Sequence, residues 1–259
     1  ANYARRIREL GEFGIQVGEV TLDLAGAGKR AKKVAEQGAR GVAYLFKKYG
    51  VEHVKGWGRL AGVGRVAVEG GDGERVLEAR NIIVATGSRP KDLPILKADG
   101  DRVWNSDHAV FPPGAPESLA IIGAGAVGME FADVFASFGT KVTIVEALDR
   151  VLPVEDRDSS ALLEKAYRKR GMEIYTGARL EKAEVGKDGV RLTVVAKNGK
   201  PQVLEVERVL LAVGRAPIVQ DIGLEAVGVK VERGFIAVDD KMRTNVPGIY
   251  AIGDVARPP

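Results

Sequence analysis

The 259-residue chain contains no cysteine. That excludes disulfide staples, thiolate-held metals and iron–sulfur clusters carried by its own residues. Histidine is nearly absent too. His53 and His108 are the only two, which argues against a His-based metal site, so no metal and no metal ligand is assigned. No apolar run approaches the roughly 20 residues that a helical membrane span needs. Residues 1–11 are basic and polar, with no apolar stretch after them to make a signal peptide. A cytoplasmic protein without membrane contact is therefore expected. A dominant sign of charge is also lacking: 39 Lys and Arg against 35 Asp and Glu leave a net +4. The densest basic run, residues 29–33, reads as the solvated face of a helix, and no nucleic-acid partner is expected. At 45% hydrophobic and 29% charged, the chain has an ordinary soluble composition and enough length for one large or two ordinary domains.

Glycine is plentiful, and three glycines are spaced in a pattern that carries chemistry. Gly123, Gly125 and Gly128 satisfy G-x-G-x-x-G. An apolar strand (119–122) precedes them, an amphipathic helix carrying Phe131, Val134, Phe135 and Phe138 follows, and a second strand (142–145) ends at Glu146. Gly123 permits the tight turn, Gly125 lets the backbone approach a pyrophosphate, and Gly128 lets the helix pack closely on the strand. Ala124, Ala126 and Val127 complete the turn where that helix starts, and a helix start offers free N–H groups and partial positive charge to phosphates. Glu146, about 20 residues beyond the glycines, stands where an acid hydrogen-bonds a ribose diol. A purely structural glycine turn is the alternative. The two strands, the helix and the terminal acid together favour dinucleotide binding.

The chain also echoes itself. Val76-Leu-Glu-Ala-Arg-Asn-Ile-Ile-Val-Ala-Thr-Gly87 matches Val203-Leu-Glu-Val-Glu-Arg-Val-Leu-Leu-Ala-Val-Gly214 without a gap, at a constant offset of 127 (203 − 76 and 214 − 87). Each copy follows alternating strands around a turn dipeptide, Asp72-Gly73 or Asn198-Gly199. Each continues into arginine and proline, Arg89-Pro90 or Arg215 and Pro217. Two domains of one design, each with a β-meander, are expected. Gly123 precedes Gly214 by 91 residues (214 − 123), and the same step back from Gly87 falls before Ala1. The first copy therefore lacks its own fingerprint, and the chain reads as a fragment. Gly26-Ala27-Gly28-Lys29 has neither the spacing nor the Ser/Thr of a phosphate loop and lies at a helix start.

A coarse pass expects a long helix over 24–49 with Val34, Ala35, Val42, Leu45 and Phe46 on its apolar side, and strands over 51–60 and 65–69. It expects a turn-rich crossing at 111–116, a helix over 159–170 stopped by Gly171, and a buried strand over 249–252. His108 is placed in the first turn of a helix and His53 in a strand, neither with a role.

Together these motifs resemble the flavoprotein disulfide reductases, and among them most closely the dihydrolipoamide dehydrogenases. The matching stretches are Ala85-Thr-Gly-Ser-Arg-Pro90, Ile121-Ile-Gly-Ala-Gly-Ala-Val-Gly-Met-Glu130, Ala212-Val-Gly-Arg215 and Thr244-Asn-Val-Pro-Gly-Ile-Tyr-Ala-Ile-Gly-Asp254. The resemblance implies an α/β fold of two Rossmann-like FAD/NAD(P)-binding domains, the first incomplete. Residues 1–105 and 235–259 would belong to the FAD domain and 106–234 to the NAD domain. Residues 123–128 would then hold the NAD pyrophosphate, Glu146 the adenosine ribose, and Leu180 the adenine. Glu130 would sit near the nicotinamide end, and Gly214 would line the same cleft. Gly58, Thr86, Gly87, Ser88 and Asp254 would contact FAD. Simpler roles compete: turn residues for Gly58 and 86–88, a helix cap for Asp254, and a solvent-facing charge for Glu130.

The departures from the family are large. Its chemistry uses a cysteine pair beside the flavin and a His–Glu pair in a further domain that also forms a homodimer. Neither pair is present here, so no catalytic residue is assigned. Three readings stand. In the first, the chain is the central piece of a dihydrolipoamide dehydrogenase whose parent serves a 2-oxo acid dehydrogenase complex. The second is an NADH-dependent flavoprotein reductase without a disulfide. The third is a module that binds NAD and catalyses nothing. Weak or absent FAD is expected in this chain by itself.

Overall fold

The computed structural model describes residues 1–71, 73–197 and 199–256. Asp72 and Asn198, which open the two expected turn dipeptides, lie outside the described residues. The chain divides into two compact units, 1–37 with 90–214, and 38–89 with 215–259.

The first unit is built on a five-stranded parallel sheet. Its strands lie in the order Val103–Trp104, Arg208–Leu211, Ser118–Ile122, Lys141–Val145, Glu173–Tyr175. Parallel sheets are covered on both faces, so their strands are almost continuously apolar. The strand Ser118–Ile122 obeys this rule, with Leu119, Ala120 and Ile121 fully buried. Successive side chains point to opposite faces. Leu119 and Ile121 accordingly pack with Met129, Ala132, Phe135 and Tyr167 of the helical layer. Ala120 and Ile122 pack with Leu192, Val194 and Val209 on the other side. The helices of the first face are Ala126–Ser137, which joins the second and third parallel strands in sequence, and Arg157–Lys169. Asp156 caps the latter, accepting from the N–H groups of Asp158 and Ser159, and Gly171 at φ 86° ends it. The opposite face carries an antiparallel meander, Arg179–Val185, Val190–Val195 and Pro201–Val206.

The second unit repeats the plan on a smaller scale. Its meander is Trp57–Gly62, Arg65–Gly70 and Gly73–Glu78. Ile82–Val84 pairs in parallel with Ile249–Ala251, and both enclose a core with Leu60, Ile222, Leu224 and Ile236. The offset read in the sequence reappears in the elements: Ser88–Pro90 and Arg215–Pro217 are strands at the same spacing (215 − 88) and pair with each other.

Several expectations need correction. The helix Leu24–Lys48 forms, but only Leu24 is buried. Val34, Val42 and Leu45 are about half exposed. A 3.6-residue period identifies a helix, whereas burial also requires an element to pack on it. The strand expected over 51–60 begins only at Trp57. Before it, Gly56 adopts φ 155°, and a β-carbon there would overlap the Glu69 carbonyl oxygen, so no side chain would fit. His53 therefore lies outside the sheet, its ring edge-on to Phe46 at 5.9 Å. The compact units divide at 37/38, 89/90 and 214/215, whereas the expected domains divide at 105/106 and 234/235: residues 1–37 group with the larger unit, Val103–Trp104 joins its sheet, and Arg215–Pro217 pairs with Ser88–Pro90. His108 does occupy a first helical turn, closing a reciprocal cap with Asn105. No helix among the described residues is long and apolar enough to cross a membrane.

Candidate functional site

Three adjacent strands of the five-stranded sheet end at the same edge: Ile122, Val145 and Leu211 are their last residues. The carboxyl edge of a parallel sheet is where such folds place ligands. Gly123, Glu146 and Gly214 leave the sheet there.

The glycine turn shows three different reasons for glycine. Gly123 has φ 103°, and a β-carbon on it would overlap the Ala212 carbonyl oxygen. A β-carbon on Gly128 would overlap the Gly123 carbonyl oxygen and crowd the Ala212 methyl at 3.3 Å. Both glycines are required by the protein's own packing. Gly125 is not. Its φ of −71° suits any residue, and a β-carbon would meet nothing within 4 Å. The space it leaves lies at the start of the helix Ala126–Ser137, which has neither a side-chain cap nor an acid in its first turn. Its N–H groups and partial positive charge stay available to an anion. Ala126 and Val127 are exposed at this end, and Glu130 is exposed one turn further on.

Glu146 is 8% exposed and already engaged. Its Oε2 accepts from the Ala124 N–H at 2.7 Å and its Oε1 from the Leu148 N–H at 2.8 Å. A carboxylate offers about four lone-pair directions, so roughly two remain for further donors. Beyond the strand end lies an open pocket of about 720 Å³ lined by Ala147, Leu148, Asp149, Leu180 and Lys197 among others. Leu180 is half-buried there, and Arg179 also lines the pocket. Arg150 is turned away, donating through Nη2 to the Pro153 carbonyl at 2.5 Å. Gly214, at φ 103°, is exposed, and its carbonyl accepts from the Lys91 N–H at 3.0 Å.

The remaining residues gather in the smaller unit. Ser88 Oγ donates to Asp254 Oδ2 at 2.6 Å and accepts from Arg215 Nε at 2.7 Å. Arg215 Nη2 donates to the Ser88 carbonyl, and Arg215 Nε lies 3.9 Å from the Asp254 carboxylate. Among the described residues Asp254 lies inside the short turn Gly253–Val255, whose cap position is Ile252. Thr86 Oγ1 donates to the Ile218 carbonyl, and Gly87 takes φ 71°. Gly58 sits in a strand opposite Val68, where a β-carbon would make only ordinary contact at 3.8 Å. Ser88, Arg215, Phe235, Met242 and Asp254 line a cavity of about 610 Å³. The site expectations omitted Arg215, Arg179 and Lys197. The repeat offset, which aligns Arg215 with Ser88, was the signal available for the first, and no local signal marks the other two.

Similarity to known proteins follows the same lines. The profile of the pyridine nucleotide-disulphide oxidoreductases matches residues 7–259. The chain belongs to that family. It is 44% identical over 244 residues to the dihydrolipoyl dehydrogenase of Chlorobaculum tepidum, covering 94% of this chain and 52% of that one. The dihydrolipoyl dehydrogenase of Zymomonas mobilis is 40% identical over 248 residues, covering 95% and 53%. Among solved structures, LpdA from Mycobacterium tuberculosis superposes with a TM-score of 0.89 at 29% identity, covering all of this chain and 57% of that one. The chain thus spans about half the length of the curated relatives it matches. The oxidoreductase family is named for a disulphide, and this chain has no cysteine with which to form one.

Proposed function

We propose that the turn 123–128 and Glu146 bind NAD(H) in a dihydrolipoyl dehydrogenase, and that the Thr86–Ser88 and Asp254 cluster contacts FAD. Gly125 carries this reading. Of the three fingerprint glycines it alone has no reason for its identity within the protein, and its open side adjoins an uncapped helix start. A pyrophosphate there would be held by backbone N–H groups. Glu146 would turn its remaining lone pairs to the ribose diol, with the adenine toward Leu180. Glu130 and Gly214 would flank the nicotinamide, whose chemistry when bound is to accept or return a hydride. FAD would be oriented by Asp254, fixed in place by Ser88 and Arg215, with backbone contacts from Gly58 and 86–88.

The residues of this chain therefore bind and orient. None of them supplies the thiolate pair that takes electrons from a dihydrolipoyl group. Only one G-x-G-x-x-G occurs in the 259 residues, so we expect FAD to bind this chain weakly or not at all. The full reaction, a homodimer and association with a 2-oxo acid dehydrogenase complex belong to the proposed parent enzyme, a cytoplasmic protein.

Calorimetric titration with the two nicotinamide nucleotides tests the reading. Hydrogen bonds to a charged group are worth about 1.5–3 kcal/mol. A 2′-phosphate would forfeit them and face the Glu146 carboxylate, so NADH should bind at least ~10-fold more tightly than NADPH. Glu146→Ala should narrow the difference mainly by weakening NADH. Equal affinities, or a preference for NADPH through Arg179 and Lys197, would overturn the assignment.

A further inference from the structure

The middle residue of the glycine turn is held from two sides. On one, Glu146 accepts from the Ala124 N–H at 2.7 Å. On the other, the Ala124 carbonyl accepts from the Leu152 N–H at 2.8 Å. Leu152 is one of few residues other than glycine with a left-handed backbone, φ 44°. Side chains disfavour that conformation, and it persists only where surrounding contacts over-determine it. Those contacts are present. The Leu152 carbonyl accepts from the Glu155 N–H at 2.9 Å and from Ser160 Oγ at 3.1 Å. Ser160 is 1% exposed, and its single hydroxyl proton is shared between the Leu152 carbonyl and the Asp156 carbonyl, the latter at 2.9 Å. The preceding residue, Val151, is fully buried in the helical layer. A left-handed residue is thus anchored at its carbonyl by the first turn of the helix Arg157–Lys169, and directs its N–H at the peptide before Gly125.

We propose that Leu152 and Ser160 are positioning residues for nucleotide binding. Ser160 fixes the Leu152 carbonyl, Leu152 fixes the Ala124 carbonyl, and with Glu146 opposite they keep the Gly123–Gly125 turn in the shape that presents Gly125 and the helix start to a pyrophosphate. The inference rests on reading residues 123–128 as the pyrophosphate turn. It adds to that reading a clasp more than 20 residues away in sequence (152 − 124 = 28).

Two changes test it in the full 259-residue chain. Ser160→Ala removes the hydroxyl. Replacing residue 152 by its α-hydroxy counterpart keeps the leucine side chain and puts an ester oxygen in place of the N–H. For each, NADH affinity is measured by calorimetry and deuterium uptake is followed in peptides covering 123–128 and 141–145. One net hydrogen bond translates into an affinity loss of about 3- to 10-fold. We expect a loss of that size, with faster exchange at 123–128 and unchanged exchange at 141–145. Unchanged affinity and exchange in both proteins would overturn the clasp, as would exchange rising equally in both peptides, which would mark a general loss of stability. If the unsubstituted chain binds neither NADH nor NADPH, the nucleotide reading falls and the positioning role falls with it. If it binds NADH and the two altered proteins match it, only the clasp falls.

Discussion

Ile82–Val84 and Val209–Leu211 stand at equivalent places in the two copies of the repeat, yet their surroundings differ. Val209–Leu211 lies inside a five-stranded sheet, with each residue no more than 2% exposed. Among the described residues Ile82–Val84 has one partner strand, and Ile83 between its ends is 61% exposed. The turns that follow differ in kind as well. In the larger unit the candidate site is made of backbone: glycines packed against carbonyls, an uncapped helix start, and a carboxylate spent partly on peptide N–H groups. In the smaller unit it is made of side chains satisfying one another, Ser88 between Arg215 and Asp254 on the surface. A backbone site inherits the rigidity of its sheet. A surface cluster of side chains can be loosened without disturbing the core.

Gly128→Ala would break the comparison at its strongest point. The Gly123 carbonyl occupies the place of the new methyl, and overpacking of this kind costs ~3 kcal/mol. Urea unfolding followed by the larger unit's signal should show that loss. Next comes Tyr167, whose buried hydroxyl donates to the Met129 carbonyl and ties the two helices of this unit together. Tyr167→Phe should cost about 1 kcal/mol. Burial, and then the Asp133 charge, hold the Tyr167 hydroxyl above its ordinary pKa. A raised folded-state pKa means that stability is fully present below the unfolded value and is lost as pH rises through the folded one. The difference between Tyr167→Phe and the parent should therefore stay constant from neutral pH to ~10 and shrink above it. The smallest effect belongs to the other unit. Ser88→Ala removes an exposed network and should change stability by less than ~1 kcal/mol, with no change in deuterium uptake by the five-stranded sheet. A larger loss, or one that spreads to that sheet, would show the two units to be less distinct than described.

The fingerprint was legible in the sequence because its logic is local: strand, glycines, helix, strand and acid are all set by neighbours in the chain. The repeat was legible through its constant offset, and the elements reproduce it. What could not be read depends on residues far apart. The apolar stripe of Leu24–Lys48 fixed the helix but not whether anything covers it. The edge strand Val103–Trp104 is defined by pairing with Arg208–Leu211, a hundred residues later, which moved the unit boundary. Glu146 was expected to serve a ribose, and its two bonds to Ala124 and Leu148 have no signature in composition or spacing. The left-handed Leu152 is also silent in the sequence, since leucine gives no hint of that conformation.

The central claim is that Gly125 is glycine for the sake of a bound pyrophosphate rather than for the fold. Gly125→Val tests it most directly, because the φ of −71° and the open space around the position accommodate a side chain. Thermal unfolding and NADH titration should be measured on the same preparation. The account expects a melting temperature within a few degrees of the parent and NADH affinity reduced at least ~10-fold, since a side chain would stand where the pyrophosphate must approach. A marked fall in melting temperature with NADH affinity intact would contradict it.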